Sequence, residues 1–247
     1  MSVRWVSVFI DVPPDLLEPT AAFWTEVTGT RPGRAVGSHD EFVPLEQQPD
    51  HASLWLQRTE GGPVACHVDL YVEEVAAEVR RATELGARQV RVLEDQGVVV
   101  LVSPGGLPFC LVRYRGQSAR MVPVGEEGRR SVLDQVCLDI PASTYDDECG
   151  FWADFTGWPL TDAHSHDEFR RLTRPPAIPY AFLLQRLDDL DGAVTAHLDL
   201  ACEDRDAECE RHVRLGAAVV RRTDGWTVMR DPAGLTYCNT RRRQGDV

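Results

Sequence analysis

No apolar run in the 247-residue chain reaches the roughly 18 residues that a membrane-spanning helix needs. The first residues, MSVRWVSVFIDVPP, alternate like a strand entering a turn rather than building a leader peptide. Positive charge is also scarce: 26 Lys and Arg stand against 39 Asp and Glu, a formal charge of −13. Such a field repels phosphate backbones and anionic headgroups, so neither nucleic acid nor membrane is an expected partner. The seven cysteines form no C-x-x-C pair and are odd in number, which argues for reduced thiols and a cytoplasmic protein. Low complexity is missing too. With 43% hydrophobic and 26% charged residues the composition is that of an ordinary globular protein, and the length suggests two domains.

What the chain does have is a repeat. VFIDVP at Val8–Pro13 returns as VCLDIP at Val136–Pro141, and Phe23-Trp24 with Gly29 returns as Phe151-Trp152 with Gly157, each offset by 128. SHDEF occurs unchanged at Ser38–Phe42 and Ser165–Phe169, and LQR at Leu56–Arg58 and Leu184–Arg186. HVDL at His67–Leu70 pairs with HLDL at His197–Leu200, ELGA at Glu84–Ala87 with RLGA at Arg214–Ala217, and SPGGLPFC at Ser103–Cys110 with DPAGLTYC at Asp231–Cys238. One order, with offsets drifting only between 127 and 130, identifies an internal duplication. The expected domains are 1–118 and 131–243, joined by a Gly-rich, charged linker over 119–130.

Each half reads as two βαβββ modules, an α+β architecture. Val3–Val12 alternates as a strand; Leu17, Ala21, Trp24 and Val27 recur at near-helical spacing, and Gly29 stops the helix. Strands are expected over 41–45, 52–57 and 65–72, then a helix with Val75, Val79, Ala82 and Leu85 on one face, then strands over 89–93, 98–103 and 109–112.

In this order the segments resemble the vicinal oxygen chelate superfamily of glyoxalases, extradiol dioxygenases, fosfomycin resistance enzymes and bleomycin-binding proteins. The resemblance rests on a first strand with an acidic or polar stop, the FW-x-x-x-x-G helix end, the H-x-D-L strand followed by a helix ending in LGA, and the closing D-P-x-G turn and strand. It implies tandem glyoxalase-like domains of two βαβββ modules each, with paired modules forming a cup of curved mixed or antiparallel sheet and the ligand on its concave side; either neighbouring modules share a cup, or the first pairs with the fourth and the second with the third. It also implies places for metal ligands, and few of them carry donors. The first-strand place falls on Ser7 and Gln135, the fourth-strand place on Trp55 and Leu183, the next on His67 and His197, and the closing place, where the family usually has Glu, on Cys110 and Cys238. The best set conceivable is Gln135 with a His and a Cys, so no metal and no cofactor are expected.

His67 and His197 are candidate catalytic acid–base residues, or else strand histidines held by Asp69 and Asp199, which lie two residues on and so share their face. Ser7, Trp55, Cys110, Gln135, Trp226 and Cys238 are candidate ligand-binding residues, with Trp55 and Trp226 offering flat stacking surfaces. The expected function is small-molecule binding with degenerate metal sites, like the drug-sequestering, bleomycin resistance-like members. The alternative is a lyase, isomerase or dioxygenase acting on a small metabolite, with or without a divalent metal. A monomer, acting as an internal pseudo-dimer, or a homodimer is the expected assembly.

Overall fold

The computed structural model describes residues 3–49, 52–162 and 166–242, so Ser165 of the second SHDEF segment and residue 243 of the second expected domain lie outside the described residues. The first half runs β1 (Val3–Val12), α1 (Leu17–Thr28), β2 (Arg31–Pro32), β3 (Phe42–Glu46), β4 (Leu54–Arg58), β5 (Ala65–Val72), α2 (Val75–Glu84), β6 (Arg88–Leu93), β7 (Val98–Val102) and β8 (Pro108–Arg113). The second half repeats this as β9 (Ser131–Ile140), α3 (Tyr145–Thr156), β10 (Leu160–Asp162), β11 (Phe169–Leu172), β12 (Ala181–Arg186), β13 (Thr195–Cys202), α4 (Arg205–Arg214), β14 (Ala218–Arg222), β15 (Trp226–Arg230) and β16 (Thr236–Thr240). The short β2 and β10, pairing with β3 and β11, lie beyond the reach of periodicity.

Two eight-stranded sheets result, ordered β2-β3-β4-β1-β5-β8-β7-β6 and β10-β11-β12-β9-β13-β16-β15-β14. Both are mixed: β5 with β8 and β13 with β16 run parallel, while the hairpins are antiparallel. This is α+β architecture. Gly29 and Gly157 end α1 and α3 in the left-handed region, at φ 61° and 67°, as their place after the last apolar residue requires. No helix among the described residues is long and apolar enough to cross a membrane.

By compactness the chain divides into two units that do not follow the repeat. One comprises residues up to Val8 with His67–Ser118 and Val136–Ala196; the other comprises Phe9–Cys66, Ala119–Gln135 and the chain from His197 onward. The second module thus packs with the third, and the first with the fourth.

In the second–third unit, Phe109 of β8 meets Phe151, Trp152 and Phe155 of α3, with ring centroids 5.2 to 6.1 Å apart. Arg81 of α2 donates to the carbonyls of Asp154 and Phe155 at the end of α3 and pairs with Glu78 at 2.9 Å. Glu148 of α3 accepts from Trp152 Nε1 at 2.8 Å and from the Gly105 amide at 2.7 Å. Gly105 has no room for more than hydrogen: a Cβ there would stand 2.5 Å from Val194 and 2.9 Å from the Glu148 carboxylate.

The first–fourth unit repeats the clamp with different polar chemistry. Arg211 of α4 donates to the carbonyls of Glu26 and Val27 at the end of α1 and holds Glu208 at 2.6 Å. Trp24 Nε1 donates to Asp231, 2.9 Å away on the closing turn. Where the other unit has Ala82 and Phe109, this one has His212 and Tyr237, both fully buried. His212 Nε2 lies 3.1 Å from Glu208, and its Nδ1 2.8 Å from the Tyr237 hydroxyl. Burial holds the His212 imidazolium down against the pull of Glu208, which leaves a neutral ring. The network then assigns Nε2–H to Glu208 and makes Nδ1 the acceptor for Tyr237.

Burial alone would raise the Glu208 carboxyl, but hydrogen bonds from Arg211, His212 and Ser131 outweigh it and bring it down to about 2. A depressed folded-state pKa contributes stability that is present above the unfolded value and lost as pH falls toward the folded one. Thermal melts should therefore show stability declining from about pH 4.5 toward about pH 2, and Glu208→Gln should flatten that decline. Arg211→Met, which leaves a buried carboxylate short of its cation, should cost about 3 kcal/mol in urea unfolding. Arg81→Met should cost less, because Arg81 and Glu78 are more solvated.

Candidate functional site

Strand alternation and the parallel pairings gather the candidate residues. In β5, His67, Asp69 and Tyr71 share one face, while Val68, Leu70 and Val72 turn into the apolar core. The β5–β8 register sets Asp69 beside Cys110. In β13, His197 and Asp199 take the equivalent face, and the β13–β16 register sets Asp199 beside Cys238. Each half thus assembles imidazole, carboxylate and thiol from strands that sequence alone leaves unpaired.

In the first half the His67, Asp69 and Cys110 donor atoms all lie within 4.8 Å of one another, with His67 Nε2 3.6 Å from Asp69 Oδ1. That Asp69 oxygen is buried and accepts no hydrogen bond. Ser7, the first-strand candidate, gives its hydroxyl to Tyr71 at 3.4 Å. Burial first, and the Asp69 charge second, push the Cys110 thiol up to about 12, so without a cation it stays protonated near neutrality.

The second half is tighter. Gln135 Nε2 donates to Asp199 Oδ2 at 2.6 Å. His197 Nε2 lies 3.2 Å from Asp199 Oδ1 and 3.5 Å from Cys238 Sγ. Asp199 Oδ1 is buried and accepts no directed hydrogen bond. All four residues are buried. Between the halves the controlling difference is Gln135 against Ser7, a long amide that reaches the carboxylate against a hydroxyl that serves a tyrosine.

The two tryptophan candidates sit on β4 and β15. Trp55 of β4 is half-buried and stacks on Phe9, centroids 5.8 Å apart and planes 16° off parallel, while Phe42 meets Phe9 edge-on at 5.9 Å. Trp226 opens β15 opposite Thr240, two residues from the Val228–Cys238 pair and on the same face. In the sequence, Asp69 and Asp199 present themselves only as orienting partners of the histidines. Their alternation with the histidines was legible, but not the parallel register that brings a cysteine to each. No disulfide joins any of the seven cysteines.

Gln135→Leu, which strips a donor from a buried carboxylate, should destabilise the chain by about 2 kcal/mol in urea unfolding. Ser7→Ala, which removes one long hydrogen bond, should cost under about 1 kcal/mol.

The profile of the glyoxalase-like domain matches the chain twice, over residues 7–112 and 135–240. No curated protein matches by sequence. Among solved structures, the Mn(II)-bound glyoxalase from Novosphingobium aromaticivorans is similar, with TM-score 0.67 and 19% identity, over 97% of this chain and 82% of that one. So is 2,2',3-trihydroxybiphenyl 1,2-dioxygenase from Sphingomonas wittichii strain RW1, with TM-score 0.61 and 16% identity, over 97% and 90%. A mutant 4-hydroxymandelate synthase from Streptomyces coelicolor gives TM-score 0.63 and 15% identity, over 99% and 95%. At these identities the likeness is one of fold. The two profile matches, which together span most of the chain, show that it belongs to the glyoxalase-like family.

Proposed function

We propose that the protein is an enzyme acting on a small oxygenated metabolite, an isomerase or lyase by proton transfer, with its chemistry in the second half. The observation that carries this is the buried series Gln135, Asp199, His197, Cys238. Gln135 fixes the Asp199 carboxylate. That carboxylate faces His197 Nε2 at 3.2 Å and stabilises the imidazolium formed when His197 takes a proton from substrate. Cys238, 3.5 Å from the same nitrogen, is placed to exchange that proton. A satisfied core histidine would not need two polar partners of this kind on one nitrogen.

The hard divalent cation of the superfamily does not fit the places it usually occupies. Trp55 and Leu183 offer it no donor, and Cys110 and Cys238 replace its carboxylate. No step is therefore routed through such a metal, although the similar Novosphingobium glyoxalase is Mn(II)-bound.

The test is exchange of solvent deuterium into the carbon next to the carbonyl of hydroxyacetone and lactaldehyde, followed by NMR. His197→Gln should lower the exchange rate about 10²- to 10⁴-fold, with Asp199→Asn in between. Exchange by wild type no faster than the buffer blank, or unchanged in His197→Gln, would count against this reading.

A second reading, stoichiometric binding of a planar ligand without turnover, is favoured by the Trp55–Phe9 stack. It expects 1-naphthol to bind with quenching of tryptophan fluorescence, and Trp55→Ala to weaken that binding about tenfold, the loss of one stacking contact of about 1.4 kcal/mol. Equal affinity in the variant removes it.

A further inference from the structure

We propose that His67, Asp69 and Cys110 of the first half form a binding site for a thiophilic divalent cation of the zinc class. The site takes only two of its donors from the superfamily's ligand places. The third, Asp69, comes from within the H-x-D strand, and the closing carboxylate has given way to a thiol, so the cation preferred changes with the ligand set.

Three observations converge. The donors are one nitrogen, one oxygen and one sulfur, a set that suits zinc better than manganese or magnesium. Their spacing also fits. Bonds of about 2.05 Å to nitrogen, about 2.1 Å to oxygen and about 2.3 Å to sulfur, at tetrahedral angles, put nitrogen about 3.4 Å from oxygen and about 3.6 Å from sulfur. His67 Nε2 and Asp69 Oδ1 are 3.6 Å apart, and all three donor atoms lie within 4.8 Å of one another. The third observation is the Asp69 Oδ1 atom, which is buried without a hydrogen-bond donor although its side chain is only 10% exposed. A buried carboxylate oxygen in that state costs free energy that a cation would recover.

The register explains why the trio converges. Asp69 and Cys110 are direct partners across the parallel β5–β8 pair, and His67 lies two residues from Asp69 on the same face. Three rigid strand positions hold the donors, which leaves a fourth coordination place open, the arrangement of a cation that takes an exogenous ligand. On binding, the Cys110 thiol gives its proton to solvent and the thiolate joins the cation, a proton-for-metal exchange without oxidation or reduction.

The test uses the full chain carrying Cys137→Ser, His197→Gln and Cys238→Ser, so that the second-half cluster of Cys137, His197 and Asp199 with Cys238 contributes neither thiolate nor imidazole and the outcome is independent of the activity proposed above. Reduced, metal-stripped protein is titrated with Co(II), followed by the thiolate-to-cobalt charge-transfer absorbance and by elemental analysis. About one equivalent bound, with a thiolate band, is expected. Adding Cys110→Ser should abolish the band, and adding Asp69→Asn should keep the band but weaken binding about tenfold or more. No band, or a band that survives Cys110→Ser, overturns the site; full affinity in the Asp69→Asn chain removes Asp69 from it. Should the triply substituted background fail to fold, Cys110→Ser alone is compared with wild type. Loss of about one equivalent of bound cobalt supports the site, and unchanged stoichiometry overturns it.

Discussion

An arginine reaching the exposed carbonyls at the end of another module's helix is the contact on which this architecture depends. Helix C-termini leave carbonyls without partners, and a cation there answers both the hydrogen-bonding need and the dipole. Arg81 does this for α3 through Asp154 and Phe155. Arg211 does it for α1 through Glu26 and Val27. These residues correspond position for position across the duplication. The clamp therefore operates twice, and in each unit it joins modules whose strands belong to different sheets: second with third, first with fourth. The aromatic clusters around Trp24 and Trp152 fill the space that the clamp encloses.

Around this shared contact the two copies have exchanged polar and apolar roles. The buried tryptophan needs an acceptor for its indole N–H in both units. In one it is Glu148 on the helix, where the other copy has Thr20; in the other it is Asp231 on the closing turn, where the first copy has Ser103. A single carboxylate per unit suffices, and its location is free provided that it reaches the indole. The Glu208, His212 and Tyr237 network is a larger departure, a closed polar chain standing where Ala82 and Phe109 pack as hydrocarbon. Every one of its groups has a partner, the condition under which buried polarity is tolerated.

Much of this was legible in the sequence. Repeated segments and their order carried the duplication, and alternation carried the strands. Gly29 and Gly157 carried the helix ends because only a left-handed residue stops the chain there. The two-residue β2 was not legible, since no period can be read from so short a segment. Nor was the module pairing, because Arg81 and Arg211 look like ordinary surface arginines on amphipathic helices until their targets in α3 and α1 are known. His67 and His197 with their neighbouring aspartates were legible as pairs. That Cys110 and Cys238 join them depends on the β5–β8 and β13–β16 register, a long-range property that local pattern does not encode.

Gly105 shows how far the copies have ceased to be interchangeable. Its counterpart is Ala233, a residue whose methyl group the first copy cannot accept while Val194 and Glu148 crowd that turn. Exchanging one closing turn for its paralogue would therefore bring a collision and leave the indole of one unit with two carboxylates or with none. Gene conversion between the halves is penalised by packing, so each copy is free to keep its own site chemistry without being overwritten by the other.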